Sequence, residues 1–176
     1  YAVAIPRHHP WAAHPQFLYD ALHGAMVKSL KTRGVKARLA TRESPADEQF
    51  FCFDRRSEGD LVVDLEGDAS VARGAKVMGS AQRRRAKAVL QHGSLLVHTN
   101  KDVGLSGQHA GLLDLPGSGI ETTEGIDACI QMWLHGLSSM LCADIEEQPH
   151  SFIASDPSGF EDNLERFSHS RWTFRR

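Results

Sequence analysis

The stretch from Gly74 to Val97 constrains this chain most. Ala75-Lys76-Val77-Met78-Gly79-Ser80-Ala81 and Ala86 to Val97 are two runs of strand-forming length, joined across Arg83-Arg84-Arg85. Strands joined by so short a turn pair antiparallel. Each holds a glycine, Gly79 or Gly93, which weakens a strand unless backbone or ligand comes close there. Period-two alternation places Lys76, Met78 and Ser80 on one face of the first strand. On the second strand it groups His92 with Leu90, Ser94 and Leu96. Such a hairpin is either one wall of a binding surface or an ordinary sheet edge kept apart from other edges by its cations.

The other patterns set helices and further strands around it. Tyr1 to Ile5 reads as a strand. Leu18, Leu22, Ala25, Met26 and Leu30 recur at three- and four-residue steps, which predicts an amphipathic helix over Pro15 to Lys31 with proline in its first turn. Gly34 suits its end, and Val35 to Leu39 is a short strand. Residues 41–49 are polar and read as a loop leading into Phe50 to Phe53. Asp60-Leu61-Val62-Val63-Asp64 has the centre of a buried strand, and 65–74 forms a surface turn. A long glycine-bearing loop covers 98–121, with a helical turn near His109 to Leu113. Thr122 or Thr123 caps a second helix striped by Ile126, Ile130, Trp133, Leu134, Leu137 and Leu141, with Glu124 where the dipole favours an anion. A last helix is predicted over 157–167. Strands and helices do not alternate regularly, so the fold class is α+β: one domain over 1–176, with a mixed, mostly antiparallel sheet flanked by helices.

Composition narrows the function classes. A length of 176 residues with 41% hydrophobic side chains can bury a real core. The net charge of −2 gives no overall pull toward nucleic acid or an anionic membrane, and no apolar run is long enough to span a bilayer. Any basic patch is therefore local, and Arg83, Arg84, Arg85 and Lys87 make one: a solvated turn, or a dock for an acidic partner protein. Three cysteines without C-x-x-C spacing fit a reducing cytoplasm better than a disulfide scaffold. His8, His9, His14 and His23 lack ligand spacing and read as scattered surface histidines, so no metal site is expected.

Three side chains carry candidate chemistry. Cys129 and Cys142 sit on or beside the second helix stripe as small core residues. Cys52 ends a polar loop and precedes Arg55 and Arg56, whose charge favours a thiolate; a buried edge strand is the equal alternative. Lys76 is either a strand-edge solubiliser or an ammonium facing a carbonyl oxygen as charge develops on it. His92 is a general base or a hydrogen-bonded core histidine.

At these residues the sequence resembles the lipoate–protein ligase and octanoyltransferase family, which shares its fold with biotin protein ligases. Gly74-Ala75-Lys76-Val77-Met78-Gly79-Ser80-Ala81-Gln82 resembles the family's lysine-Gly-Ser-Ala signature, and Leu90-Gln91-His92-Gly93-Ser94-Leu95 its His-Gly strand. Asp60 to Val63 resembles the strand between. The resemblance is dense over 50–97. It implies a catalytic pair, Cys52 and Lys76, with Gly79, Ser80, Ala81, His92 and Gly93 binding substrate. Cys52 in its Cys-Phe context is similar to the nucleophile of single-domain octanoyltransferases. The other transferase branch carries cysteine where this chain has Val89.

The reaction so implied moves an octanoyl group from acyl carrier protein, through a Cys52 thioester, to the lysine of a lipoyl domain of a 2-oxoacid dehydrogenase or of the glycine cleavage H protein. No cofactor is needed for that route. A ligase of the same family would use ATP and Mg, with an acyl-adenylate of lipoate. A non-catalytic lipoyl-domain-binding module is the third implication. Neither nucleic acid nor membrane is an expected partner. The family's arginine- and glycine-rich motif precedes the strand that Tyr1 to Ile5 resembles and is not among these residues, so the chain reads as the C-terminal part of a longer domain.

Overall fold

The structure is a computed structural model and describes residues 1–41, 57–64, 74–99, 109–115 and 119–141. All of these lie in one unit, Tyr1–Ala143. The predicted helix over 157–167 and residues 65–73 of the predicted turn over 65–74 lie outside the described residues, as do Cys52 and Cys142.

Among the described residues, five strands form one sheet: β1 (Ala2–Pro6), β2 (Ala37–Leu39), β3 (Leu61–Val63), β4 (Ala75–Arg84) and β5 (Ala88–Leu95). Their order is β1-β5-β4-β3-β2, and every neighbouring pair is antiparallel. An isolated parallel bridge between Lys76 and His109 makes the sheet mixed. The fold class is therefore the one the sequence predicted. The hairpin is longer than predicted at its tip: β4 runs on through Arg83 and Arg84, and the turn is closed by Arg85 N–H on Ala88 O at 2.9 Å.

Among the described residues, two helices, α1 (Pro15–Thr32) and α2 (Thr123–Leu141), pack on each other, with α1 against β2 and β4 of the sheet. The α1 end shows why glycine is at residue 34. Gly34 adopts φ +80, its N–H reaches Lys31 O, and Val35 N–H reaches Leu30 O, a Schellman cap with Val35 and Leu30 both buried. At α2 the cap is Thr122, whose hydroxyl accepts the Gly125 N–H at 3.1 Å. The helices are tied together by Trp133 Nε1–H on Leu22 O at 2.8 Å. Between helices and sheet lies the core of Leu18, Leu22, Met26, Met78, Val89 and Trp133. Among the described residues, no helix is long and apolar enough to cross a membrane.

One irregularity in the sheet decides which face carries Lys76. Leu61 pairs with Met78 but Val62 pairs with Lys76, so Val77 is an extra residue in β4. A bulge of this kind shifts the side-chain alternation on one side of it by one place. Lys76 therefore lies on the face opposite Met78 and Ser80, which corrects the face assignment made from strict alternation.

Candidate active site

The register divides the sheet into two chemically different faces. One is open: Ala2, Ala4, Ala81, Arg83, Leu90, His92 and Ser94 are all exposed on it. At its inner end sits Lys76, which the bulge has turned to this side, 3% exposed. Its Nζ lies 2.9 Å from Asp60 Oδ2, and Asp60 is as deeply buried as its partner. A buried charge pair of this kind needs good geometry and further hydrogen bonds to offset desolvation. Ser57 N–H supplies one, donating to Asp60 Oδ2 at 2.7 Å.

Gly79 explains itself at this point. A Cβ there would fall 2.5 Å from Lys76 Cε and 2.8 Å from Nζ, so only glycine leaves room for the ammonium. The glycine is required by the lysine across the bulge. On the other flank of Lys76, Ala110 N–H donates to its carbonyl oxygen at 3.2 Å, bringing the segment from His109 alongside.

The second face is packed against the helices and holds a polar cluster. His23 on α1 is fully buried, with Nδ1 2.6 Å from Gly59 O and Nε2 2.8 Å from Tyr1 Oη and 3.1 Å from Ser80 Oγ. A carbonyl only accepts, so Nδ1 carries the proton and Nε2 receives the hydroxyls. Burial pushes the His23 pKa down, against smaller opposing contributions from the Gly59 carbonyl and Asp60. Burial likewise raises the Tyr1 phenol, which keeps it a donor. Gln91 Nε2–H completes the cluster, donating to Ser80 Oγ at 2.9 Å and to Tyr1 Oη at 3.2 Å. Reading His23 as a surface histidine was wrong. It stands three residues before Met26 and four after Tyr19, and that helical spacing is the signal that places it inward.

The residues singled out from the sequence thus part company. Lys76, Gly79, Ala81 and His92 share the open face, whereas Ser80 and Gly93 belong to the helix-packed side. Ser80 Oγ is engaged with His23 and Gln91. A Cβ on Gly93 would meet Gly79 O at 2.4 Å and a Tyr1 ring carbon at 2.7 Å, so this glycine serves strand packing. Cys129 is buried in the core, with its pKa raised by that burial, and is no nucleophile. Cys52 lies outside the described residues. Asp60 was seen in the sequence only as the start of a strand. Its pairing with Lys76 depends on register across two strands.

The model of the lipoyl protein ligase A/B catalytic domain matches residues 1–108. This chain belongs to that family. Octanoyltransferase LipM from Anoxybacillus flavithermus is 34% identical over 113 residues, which are 58% of this chain and 37% of that protein. The chain thus spans well under half the length of this curated relative. Among solved structures, protein Ta0514 from T. acidophilum with bound lipoic acid superposes with a TM-score of 0.63 at 20% identity, covering 97% of this chain and 62% of that one. A structure from the archaeal lipoylation system of Thermoplasma acidophilum, described as a bi-partite lipoate protein ligase and its E2 lipoyl domain, gives a TM-score of 0.58 at 18% identity, covering 97% and 61%. At such identities these two structures establish the fold. Among the described residues, no group of His, Cys, Asp and Glu side chains could hold a metal ion.

Proposed function

We propose that this chain forms part of an octanoyltransferase of protein lipoylation. The observation that carries the reading is the Lys76 ammonium: buried, held by Asp60, given room by Gly79, and set at the inner end of an exposed strand face. The family match and the LipM relative support the acyl group as its ligand.

In this reading the Cys52 thiolate attacks the thioester carbonyl of octanoyl–acyl carrier protein. The carrier's carbon–sulfur bond breaks and its sulfur leaves as a thiolate, so octanoyl rests on Cys52 as a thioester. The lysine amine of a lipoyl domain then attacks that carbonyl, an amide forms as the carbon–sulfur bond to Cys52 breaks, and the departing Cys52 sulfur takes the proton that the amine loses. Splitting the transfer into two steps lets one nucleophile serve two partners. Lys76 offers its ammonium to the oxyanion of each tetrahedral intermediate, while Asp60 fixes the direction in which it points. The octanoyl tail lies along the open strand face, each methylene it buries contributing roughly 0.8 kcal/mol. Partner docking fits the hairpin tip: Arg83, Arg85 and Lys87 are exposed there, and residues 1–19 and 74–99 contain no carboxylate side chain. An acidic carrier or lipoyl domain complements such a tip.

The test is incubation of the protein with octanoyl–acyl carrier protein, read by intact mass. The expected result is one added octanoyl group, absent in Cys52→Ala; label on that variant would sink the covalent route. The lipoate ligases among the structural neighbours favour a second reading, in which ATP and lipoate release pyrophosphate whether or not Cys52 is present. Partner binding with neither label nor pyrophosphate would leave only the binding module.

A further inference from the structure

The peptide between Gly59 and Asp60 is held at both ends. Its carbonyl accepts from His23 Nδ1–H at 2.6 Å, and its N–H donates to Ser57 O at 3.0 Å. A peptide unit is planar, so fixing both ends fixes the orientation of the plane and hence the direction in which the next Cα leaves it. The next Cα is that of Asp60, whose carboxylate holds Lys76. The turn itself has little freedom: Gly59 adopts φ +89, in the left-handed region that favours glycine, and a Cβ there would fall 3.0 Å from Gln16 Nε2 and 3.3 Å from Tyr19 Cβ. The turn therefore rests directly on α1, one helical turn from His23.

His23 in turn is held on its far side. Nε2 receives Tyr1 Oη and Ser80 Oγ, both also bound by Gln91. A continuous path runs from the helix-packed side of the sheet, through His23 and one peptide, to the ammonium on the open face. We infer that His23 is a positioning residue for Lys76: it reaches no substrate, and it sets the Asp60 carboxylate that aims the amine. This rests on the proposed role of Lys76 in acyl transfer, but the geometry it concerns does not.

Two readouts separate the two ideas. The first is the rate at which Lys76 is modified by an amine-directed succinimidyl ester, followed by peptide mass mapping. The second is kcat against KM for octanoyl transfer. His23→Phe keeps the ring volume and removes the donor, whereas His23→Asn keeps an N–H close to the Nδ1 position. In His23→Phe, Lys76 labelling is expected to rise about 10-fold and kcat to fall about 10²-fold with KM little changed, the scale of loss that an ångström of misplacement brings. His23→Asn should restore both most of the way. If His23→Phe fails to fold, His23→Gln takes its place, because its amide falls nearer Nε2 and leaves Gly59 O without the donor. Unchanged labelling in a folded variant that lacks the donor overturns the inference. Changed labelling in a protein that transfers no acyl group upholds the positioning and overturns the function.

Discussion

The two faces of the β4–β5 hairpin are built from the same two strands, yet a side chain on one does different work from its neighbour on the other. Gly79 and Gly93 make the contrast concrete. On the open face, a Cβ at Gly79 collides with the end of a side chain, Lys76. On the helix-packed face, a Cβ at Gly93 collides with the backbone carbonyl of Gly79 itself. A side chain can move aside and backbone in a sheet cannot, so the first glycine leaves room for the Lys76–Asp60 pair and the second protects the fold. The run Gly79-Ser80-Ala81 divides in the same way: its first and last members border the open face, while the serine belongs to the polar cluster with His23.

Breaking the charge pair should give the largest effect. Lys76→Ala leaves Asp60 buried without its cation, which costs about 3–5 kcal/mol, seen as a large drop in denaturation midpoint. Acyl transfer should fall by about 10²-fold or more with the proposed oxyanion partner gone. The double variant Lys76→Met with Asp60→Asn removes both charges and keeps an acceptor for Ser57 N–H. It should recover much of the stability and none of the activity, and recovery of activity would remove Lys76 from the mechanism.

The glycine pair sharpens the contrast between faces. Gly93→Ala should cost about 1–3 kcal/mol or more in chemical denaturation, since packed backbone must shift. Gly79→Ala should cost less stability but most of the turnover, because the Lys76 amine is what gives way. Equal losses of stability in the two variants would erase the distinction.

The buried histidine gives a pH signature. His23 has its pKa lowered by folding from an ordinary value of 6.5, so below that value the unfolded chain binds a proton that the folded chain resists. Stability is complete above about pH 6.5 and declines as pH falls through and below it, by at most about 1.4 kcal/mol per pH unit for one proton. The melting temperature of His23→Gln should lack this slope. The smallest effect belongs to His92→Ala: the side chain is exposed, so stability should stay within about 0.5 kcal/mol. A change confined to KM for the acyl donor would place substrate beside it.

Much of the fold was legible in the residues. The stripe of Leu18, Leu22, Met26 and Leu30 marked α1, Gly34 its end, and the alternation from Val89 to Ser94 marked β5. These are local signals: helix and strand periods and a positive φ are set within a few neighbours in the chain. The site was legible only in part. Lys76 and Gly79 stood out, but Asp60 and His23 did not, because their partners lie on other strands and on a helix many residues away.

What the sequence by itself determined, over the described residues, was the set of parts: five strands, two amphipathic helices, one lysine among small residues, and glycines where contact would be close. Which way that lysine faces was decided by the tertiary structure. The single extra residue at Val77 is visible only once β3 and β4 are paired, and it moves Lys76 from the helix-packed side to the open one. The ion pair with Asp60 and the support from His23 follow from that turn, because contacts between segments distant in the chain exist only after the sheet has set its register.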